Sequence, residues 1–269
     1  MPRGLSELEG AGVSPERQLP SNTLPLDGKI ALVTGATRGI GRASAIALAG
    51  AGAHIIGVGR TQGALEELDD EIRALGRGSA TLVPLDLTNG DGIDQLGLAI
   101  FERHKRLDVL VHAAAMLGGL WPVSHVAPKH WDKVMATNLT ATYRLIRSLE
   151  PLLRQSEAGR ALFLTTGRVQ RPKAFWGLYA ASKAGMEAMV RCWADEIEHT
   201  NVRAVLVDPN VMRTRMRAEA FPGEDPLTLP EPAEIGPMIV EYAAASELGL
   251  PTEAVTYRGW RDATASASA

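Results

Sequence analysis

The sequence predicts an α/β fold: a parallel sheet with helices on both faces, in one domain. Three observations predict it. Short apolar runs of strand length alternate with helical stretches along most of the 269 residues. The first such run passes straight into a glycine-rich turn and then a helix. The strands read as continuous apolar segments, the pattern of a sheet covered on both sides.

The expected strands are 29–33, 54–58, 81–84, 109–112, 161–165, 204–207 and 254–257, and the expected helices 40–50, 62–75, 91–104, 130–153, 179–199 and 232–247. Lys29-Ile-Ala-Leu-Val33 opens the first strand–turn–helix unit, and Thr34-Gly35-Ala-Thr37-Arg38-Gly39-Ile40-Gly41 is its turn. Gly35 lets the chain turn off the strand. Gly39 lets a pyrophosphate approach the backbone, and Gly41 lets the helix start close to the sheet. The helix N-terminus offers free N–H groups and the positive end of its dipole to an anion. The spacing GxxxGxG differs from the commoner GxGxxG, so the flanking strand and helix carry the assignment.

Residues 1–26, rich in Pro, Gly, Ser and Glu, read as a flexible arm. Residues 27–260 read as the folded domain, and 261–269 as a disordered small-residue tail. The first 22 residues lack an apolar core, so no secretory leader is expected. The apolar stretch Ala43–Gly59 reads as helix, turn and strand rather than a membrane span. With one cysteine, a reducing cytoplasmic location is expected, and Cys192 reads as a small buried hydrophobe. The chain carries 28 Lys and Arg against 31 Asp and Glu, net −3, well mixed. That pattern gives no footprint for nucleic acid.

Two connections are long, Met116–Lys129 and Val211–Pro232, and both leave the carboxyl ends of strands, where ligands of such sheets sit. After the second strand the chain offers Arg60 where an acidic residue commonly holds a ribose 2′-hydroxyl. With Arg38 nearby it suits a 2′-phosphate, so NADP(H) is expected over NAD(H); the alternative is a solvated Arg60. Asp86 follows the third strand and could accept from an adenine amino group or cap the next helix.

Tyr179 and Lys183 stand one helical turn apart. A free phenol titrates near pH 10, and a neighbouring ammonium favours the phenolate, which would make the pair an acid–base group. Alone, YxxxK also fits a solvated helix face. A Thr166 hydroxyl at a strand end could bond a substrate oxygen or serve only as a turn residue.

Together these motifs resemble the classical short-chain dehydrogenase/reductase family, in a bacterial branch of unassigned substrate. The resemblance runs from Leu26 to Tyr257 and includes Asn138 in Met135-Ala-Thr-Asn-Leu139 and Asp208-Pro209 with Thr214. It implies a Rossmann-type seven-stranded parallel sheet and transfer of a hydride between NADP(H) and a carbonyl or secondary alcohol. Tyr179 would be the acid/base, Lys183 the ribose-binding partner that lowers its pKa, and Thr166 the hydroxyl usually supplied by serine. Asn138 would hold a relay water. Leu87 and Ala113-Ala114-Ala115 would line the cofactor, and Pro209 and Thr214 its nicotinamide end. Three departures stand out: Thr166 for serine, His112-Ala-Ala-Ala115 for Asn-Asn-Ala-Gly, and Asn210 for glycine. The altered 112–115 segment leaves a second reading open, a low-turnover NADP(H)-binding sensor or scaffold.

Leu117, Leu120, Trp121, Val169, Phe175, Trp176, Met212 and Met216 are candidates for an apolar substrate pocket, or for core and subunit packing. His125 and His130 lack the spacing of a metal site, so no metal is expected. The helices 130–153 and 179–199 are apolar on more than one face, consistent with a homodimer or homotetramer.

Overall fold

A computed structural model describes residues 24–246 and 253–267. Seven parallel strands form one sheet in the order β3-β2-β1-β4-β5-β6-β7. They are β1 (Ile30–Thr34), β2 (His54–Gly59), β3 (Ser79–Pro84), β4 (Val109–His112), β5 (Gly159–Leu164), β6 (Val202–Asp208) and β7 (Val255–Thr256). The strand order reverses direction between β1 and β4, and such a switch opens a crevice at the carboxyl edge. Register is fixed along this seam: Ala31 pairs with both Ile55 and Val109, and Thr34 with Val58 and His112.

Side chains alternate across the sheet, as the two-residue period of a strand requires. Leu32, Ile56, Leu110, Phe163 and Leu206 point to one core. Helices α3 (Gly90–His104), α5 (Ala141–Leu153) and α6 (Gly177–Glu196) cover it through Ile93, Leu145 and Val190. Val33, Ile55, Val111, Leu162 and Val207 point to the other. That face is covered by α1 (Gly39–Gly50), α2 (Gln62–Ala74) and α8 (Gly236–Ala244), through Leu48, Ile72 and Met238. Each such side chain, fully buried, contributes about 1.5–3 kcal/mol.

The expected elements are present with boundaries shifted by a few residues, and four differences matter. The stretch expected as one helix over 130–153 begins earlier, as α4 (Pro128–Met135), and passes through a π-helical turn, Ala136–Thr140, into α5. The long connection 211–232 holds a short helix, α7 (Arg215–Ala220), started by Thr214, whose hydroxyl accepts from the Arg217 N–H at 3.1 Å. The expected disordered tail is a helix, α9 (Tyr257–Ala267), as far as it is described. Its Tyr257 is buried in the second core, which seats the helix. Cys192 is exposed on α6, not buried: the helix turns Val190 and Trp193 inward and leaves position 192 to solvent. Of the expected N-terminal arm, residues 1–23 lie outside the described residues, but Leu26 is already in the core, so the domain starts before residue 27. Among the described residues no helix is long and apolar enough to cross a membrane.

Candidate active site

A cleft of about 1360 Å³ opens at the switch between β1 and β4. It is lined by Gly35, Thr37, Arg38, Gly39, Ile40, Gly41, Arg60, Asp86, Leu87, Ala113, Ala114, Ala115, Thr166, Tyr179, Lys183, Pro209 and Thr214. One expected site residue, Asn138, lies elsewhere.

The glycine turn is shaped by contact with its surroundings. Gly35 has φ +67°, and a Cβ there would stand 2.9 Å from the Ala114 backbone. A Cβ on Gly41 would strike the Gly35 carbonyl, so only glycine lets α1 begin this close to the strand. Thr34 Oγ1 accepts from the Ala114 N–H at 3.3 Å and bonds His112 Nδ1 at 2.7 Å, which joins the ends of β1 and β4. His112 is fully buried, and desolvation with the Lys183 charge pulls it down to about 3, so the ring is neutral. Its Nε2 has no hydrogen-bond partner.

This end fits a dinucleotide phosphate. No acidic side chain stands in the first turn of α1, and its N-cap residue, Arg38, makes no capping bond, so the helix N–H groups are free for an anion. Arg60 stands 3.8 Å from Asp86, with both side chains about half exposed, a pair worth little in water. Asp86 also accepts from the Thr88 N–H and hydroxyl at 2.9 Å, which hold its carboxyl below the usual range. It does not cap α3; Asn89 does, accepting from the Gly92 N–H at 3.0 Å.

At the other end, α6 carries Tyr179 and Lys183, both buried. The Lys183 ammonium donates to the Leu164 carbonyl at 2.7 Å, and burial pulls it down to about 8 against the opposing Glu187 charge. Tyr179 bonds the Thr166 hydroxyl. Its phenol is raised above its ordinary value, chiefly by burial and then by the Asp208 carboxylate, with the Thr166 bond acting against both. This corrects the expectation that Lys183 lowers it: the ammonium is drawn to the end of β5, and desolvation dominates the phenol. Asp208 itself is raised by burial while accepting from the Asn210 N–H at 2.8 Å and the Gly167 N–H. Asn210 has φ +58°, a conformation that asparagine tolerates best after glycine.

Asn138 is fully buried in the π turn. Its Oδ1 accepts from the Met116 N–H at 2.9 Å, and its Nδ2 donates to the Met116 carbonyl and Ser182 Oγ at 3.0 Å. The amide is a latch between the helix and the segment after β4. Thr214 caps α7 and stands over Gly39.

Of the apolar candidates, Leu117, Trp176, Met212 and Met216 line the cleft; Leu120, Trp121, Val169 and Phe175 do not. Trp176 meets Tyr179 edge-on at 6.0 Å and Phe221 at 5.9 Å. No motif or spacing marks Phe221, because its loop position depends on how α7 folds back. Glu187, which was not among the expected site residues, is fully buried one turn beyond Lys183 and bonded to the Thr165 hydroxyl and Arg191. The signal available for Glu187 was the four-residue spacing. No group of three metal-ligating side chains forms among the described residues.

The chain matches the model of the short chain dehydrogenase family over residues 29–225. It is 39% identical over 216 residues to the "Uncharacterized oxidoreductase YciK" of Escherichia coli K12, covering 79% of this chain and 85% of the relative. A short chain dehydrogenase of Salmonella enterica serovar Typhi superposes with a TM-score of 0.78 at 36% identity, over 82% of this chain and 92% of that one. A protein of Escherichia coli CFT073, assigned to the same family and crystallised with NADPH, gives 0.78 at 38% identity over the same shares. Sequence, sheet order and cleft agree, and the chain belongs to the short-chain dehydrogenase/reductase family.

Proposed function

We propose that this protein is an NADP(H)-dependent oxidoreductase acting on a carbonyl or secondary-alcohol substrate. One observation carries the reading: the buried Tyr179 phenol, bonded to the Thr166 hydroxyl, shares a cleft with the Gly35–Gly41 turn. NADP(H), when bound, supplies or takes up the hydride. The N-terminus of α1 would hold its pyrophosphate, and Arg38 and Arg60 its 2′-phosphate, with Arg60 giving up its weak pairing to Asp86. The NADPH complex of the Escherichia coli CFT073 relative supports this choice over NAD(H). Lys183 would hold the nicotinamide ribose.

A phenol with a raised pKa keeps its proton. Tyr179 is therefore set to deliver that proton to a carbonyl oxygen during reduction, while Thr166 bonds the same oxygen. The Thr166 methyl restricts its rotamer and fixes where the hydroxyl points. We also propose a homodimer or homotetramer through α5 and α6, supported by Tyr143, 49% exposed on α5; light scattering giving a monomer would overturn it.

The test follows NADPH absorbance with a panel of aldehydes and ketones. Tyr179→Phe should lower turnover by about 10²–10⁴-fold while NADPH binding is kept. Turnover that survives in Tyr179→Phe would remove the acid/base role. Tighter binding of NADH than NADPH would overturn the cofactor choice.

A further inference from the structure

The substrate end of the cleft contains a cation without a counter-charge. The chain leaves β5 at Leu164 and runs through Thr165-Thr166-Gly167 to Arg168. The Arg168 backbone N–H donates to Thr166 Oγ1 at 3.3 Å, the hydroxyl that bonds Tyr179. The half-buried Arg168 side chain lies with its Cζ 4.9 Å from the centre of the Trp176 ring. Trp176 is 9% exposed and meets the Tyr179 ring at 6.0 Å. Those two steps, 4.9 and 6.0 Å, put the Arg168 guanidinium within about 11 Å of the phenol ring.

Two nearby arginines, Arg213 and Arg217, are neutralised, while Arg171 and Arg215, which also line the cleft, form no ion pair among the described residues. Arg217 stacks on Phe221 at 3.7 Å and is gripped by Glu224 at 2.5 and 2.6 Å; Arg213 pairs with Glu231. Among the described residues Arg168 has no carboxylate within ion-pair distance, and its guanidinium donates no hydrogen bond. Two carboxylates also line this part of the cleft, Asp208 and Glu219. Asp208 is occupied by the Asn210 and Gly167 N–H groups, and neither forms an ion pair with Arg168. A guanidinium stacked on an indole keeps its in-plane N–H edge free, which is the geometry for a two-pronged grip on an oxyanion.

We propose that Arg168, on its Trp176 floor, binds an oxyanion of the substrate, so that the natural substrate is a carbonyl compound or alcohol bearing a carboxylate or phosphate. The proposal rests on the oxidoreductase reading for which group reacts, but not for whether the anion binds.

The test uses three aldehydes with NADPH: 4-carboxybenzaldehyde, 4-formylphenyl phosphate and the neutral methyl 4-formylbenzoate. At least one anionic aldehyde should show a kcat/KM about tenfold or more above the ester. That ratio should collapse in Arg168→Gln and survive in part in Arg168→Lys, with far-UV circular dichroism confirming both folds. Which anion wins distinguishes carboxylate from phosphate. Equal use of the ester by the wild type, or an anion preference unchanged in Arg168→Gln, overturns the proposal. In parallel, calorimetry titrates the NADP⁺-loaded protein with benzoate and with phenyl phosphate. If none of the aldehydes consumes NADPH, calorimetry alone decides. Binding that is lost in Arg168→Gln then upholds the anion site; absent binding, or binding unchanged by the substitution, overturns it.

Discussion

Replacing Asn138 with alanine takes three hydrogen bonds away from a place that solvent does not reach. Asn138 is 0% exposed, and its amide satisfies both the N–H and the carbonyl of Met116 as well as Ser182 Oγ. Ser182 still donates to the Tyr179 carbonyl at 2.8 Å after the change, so it loses least. The two Met116 groups, on a half-buried residue at the cleft wall, lose their partners. A buried polar group left unpaired costs about 1–3 kcal/mol, so Asn138→Ala should destabilise the fold by about 3 kcal/mol. For a chain of this size each kcal/mol moves Tm by about 2–4 °C, which gives a fall of about 10 °C. Urea titration and thermal melts followed by far-UV circular dichroism measure both quantities. Asn138→Asp should do no better, because a carboxylate can accept from the Met116 N–H but meets its carbonyl with negative charge. A fall below about 2 °C for the alanine variant would refute the reasoning. It would mean that the π turn is held by its backbone and packing, and not by this amide.

Acidification should expose the neutral His112. Its buried pKa of about 3 lies below the ordinary 6.5, so between those values the unfolded chain binds more protons. Stability should therefore fall as pH drops through that window, by about 1.4 kcal/mol per unit. The difference between wild type and His112→Asn, measured by urea titration at pH 7 and pH 4, isolates this from the carboxylates; no pH-dependent difference would contradict it. Gly41→Ala should push α1 off the Gly35 carbonyl and weaken NADPH binding by about tenfold or more; unchanged affinity would show that the turn can yield. Gly63→Ala, where a Cβ meets nothing within 4 Å inside α2, should instead stabilise by up to about 1 kcal/mol in the same melts.

Most of the expected binding residues proved to line one cleft because their positions follow from local rules. A residue just past the end of a parallel strand emerges at the carboxyl edge whatever the helices do. Gly35, Arg60, Asp86, Ala113, Thr166 and Pro209 are all of this kind. Asn138 belongs to a helix instead, and a sequence pattern does not reveal that an extra residue in the turn swings its amide toward Met116. The tail shows the same limit. Ala263-Thr-Ala-Ser-Ala-Ser-Ala269 has no apolar stripe, yet a helix reaches Ala267 because Tyr257 anchors its start in the core.

The alternation of strand and helix, the glycine turn that aims a helix N-terminus at an anion, and the one-turn spacing of Tyr179 and Lys183 were legible in the chain before any coordinates. These are short-range facts, set by side-chain periodicity and backbone sterics. The charge states and partners were set by the packed fold. Desolvation is a property of everything packed around a group, so the raised phenol, the neutral His112 and the Lys183 ammonium turned to Leu164 depend on segments far apart in the chain. For the same reason, the unpaired guanidinium of Arg168 could be told from the neutralised Arg217 and Arg213 only once Glu224 and Glu231 had been brought to them.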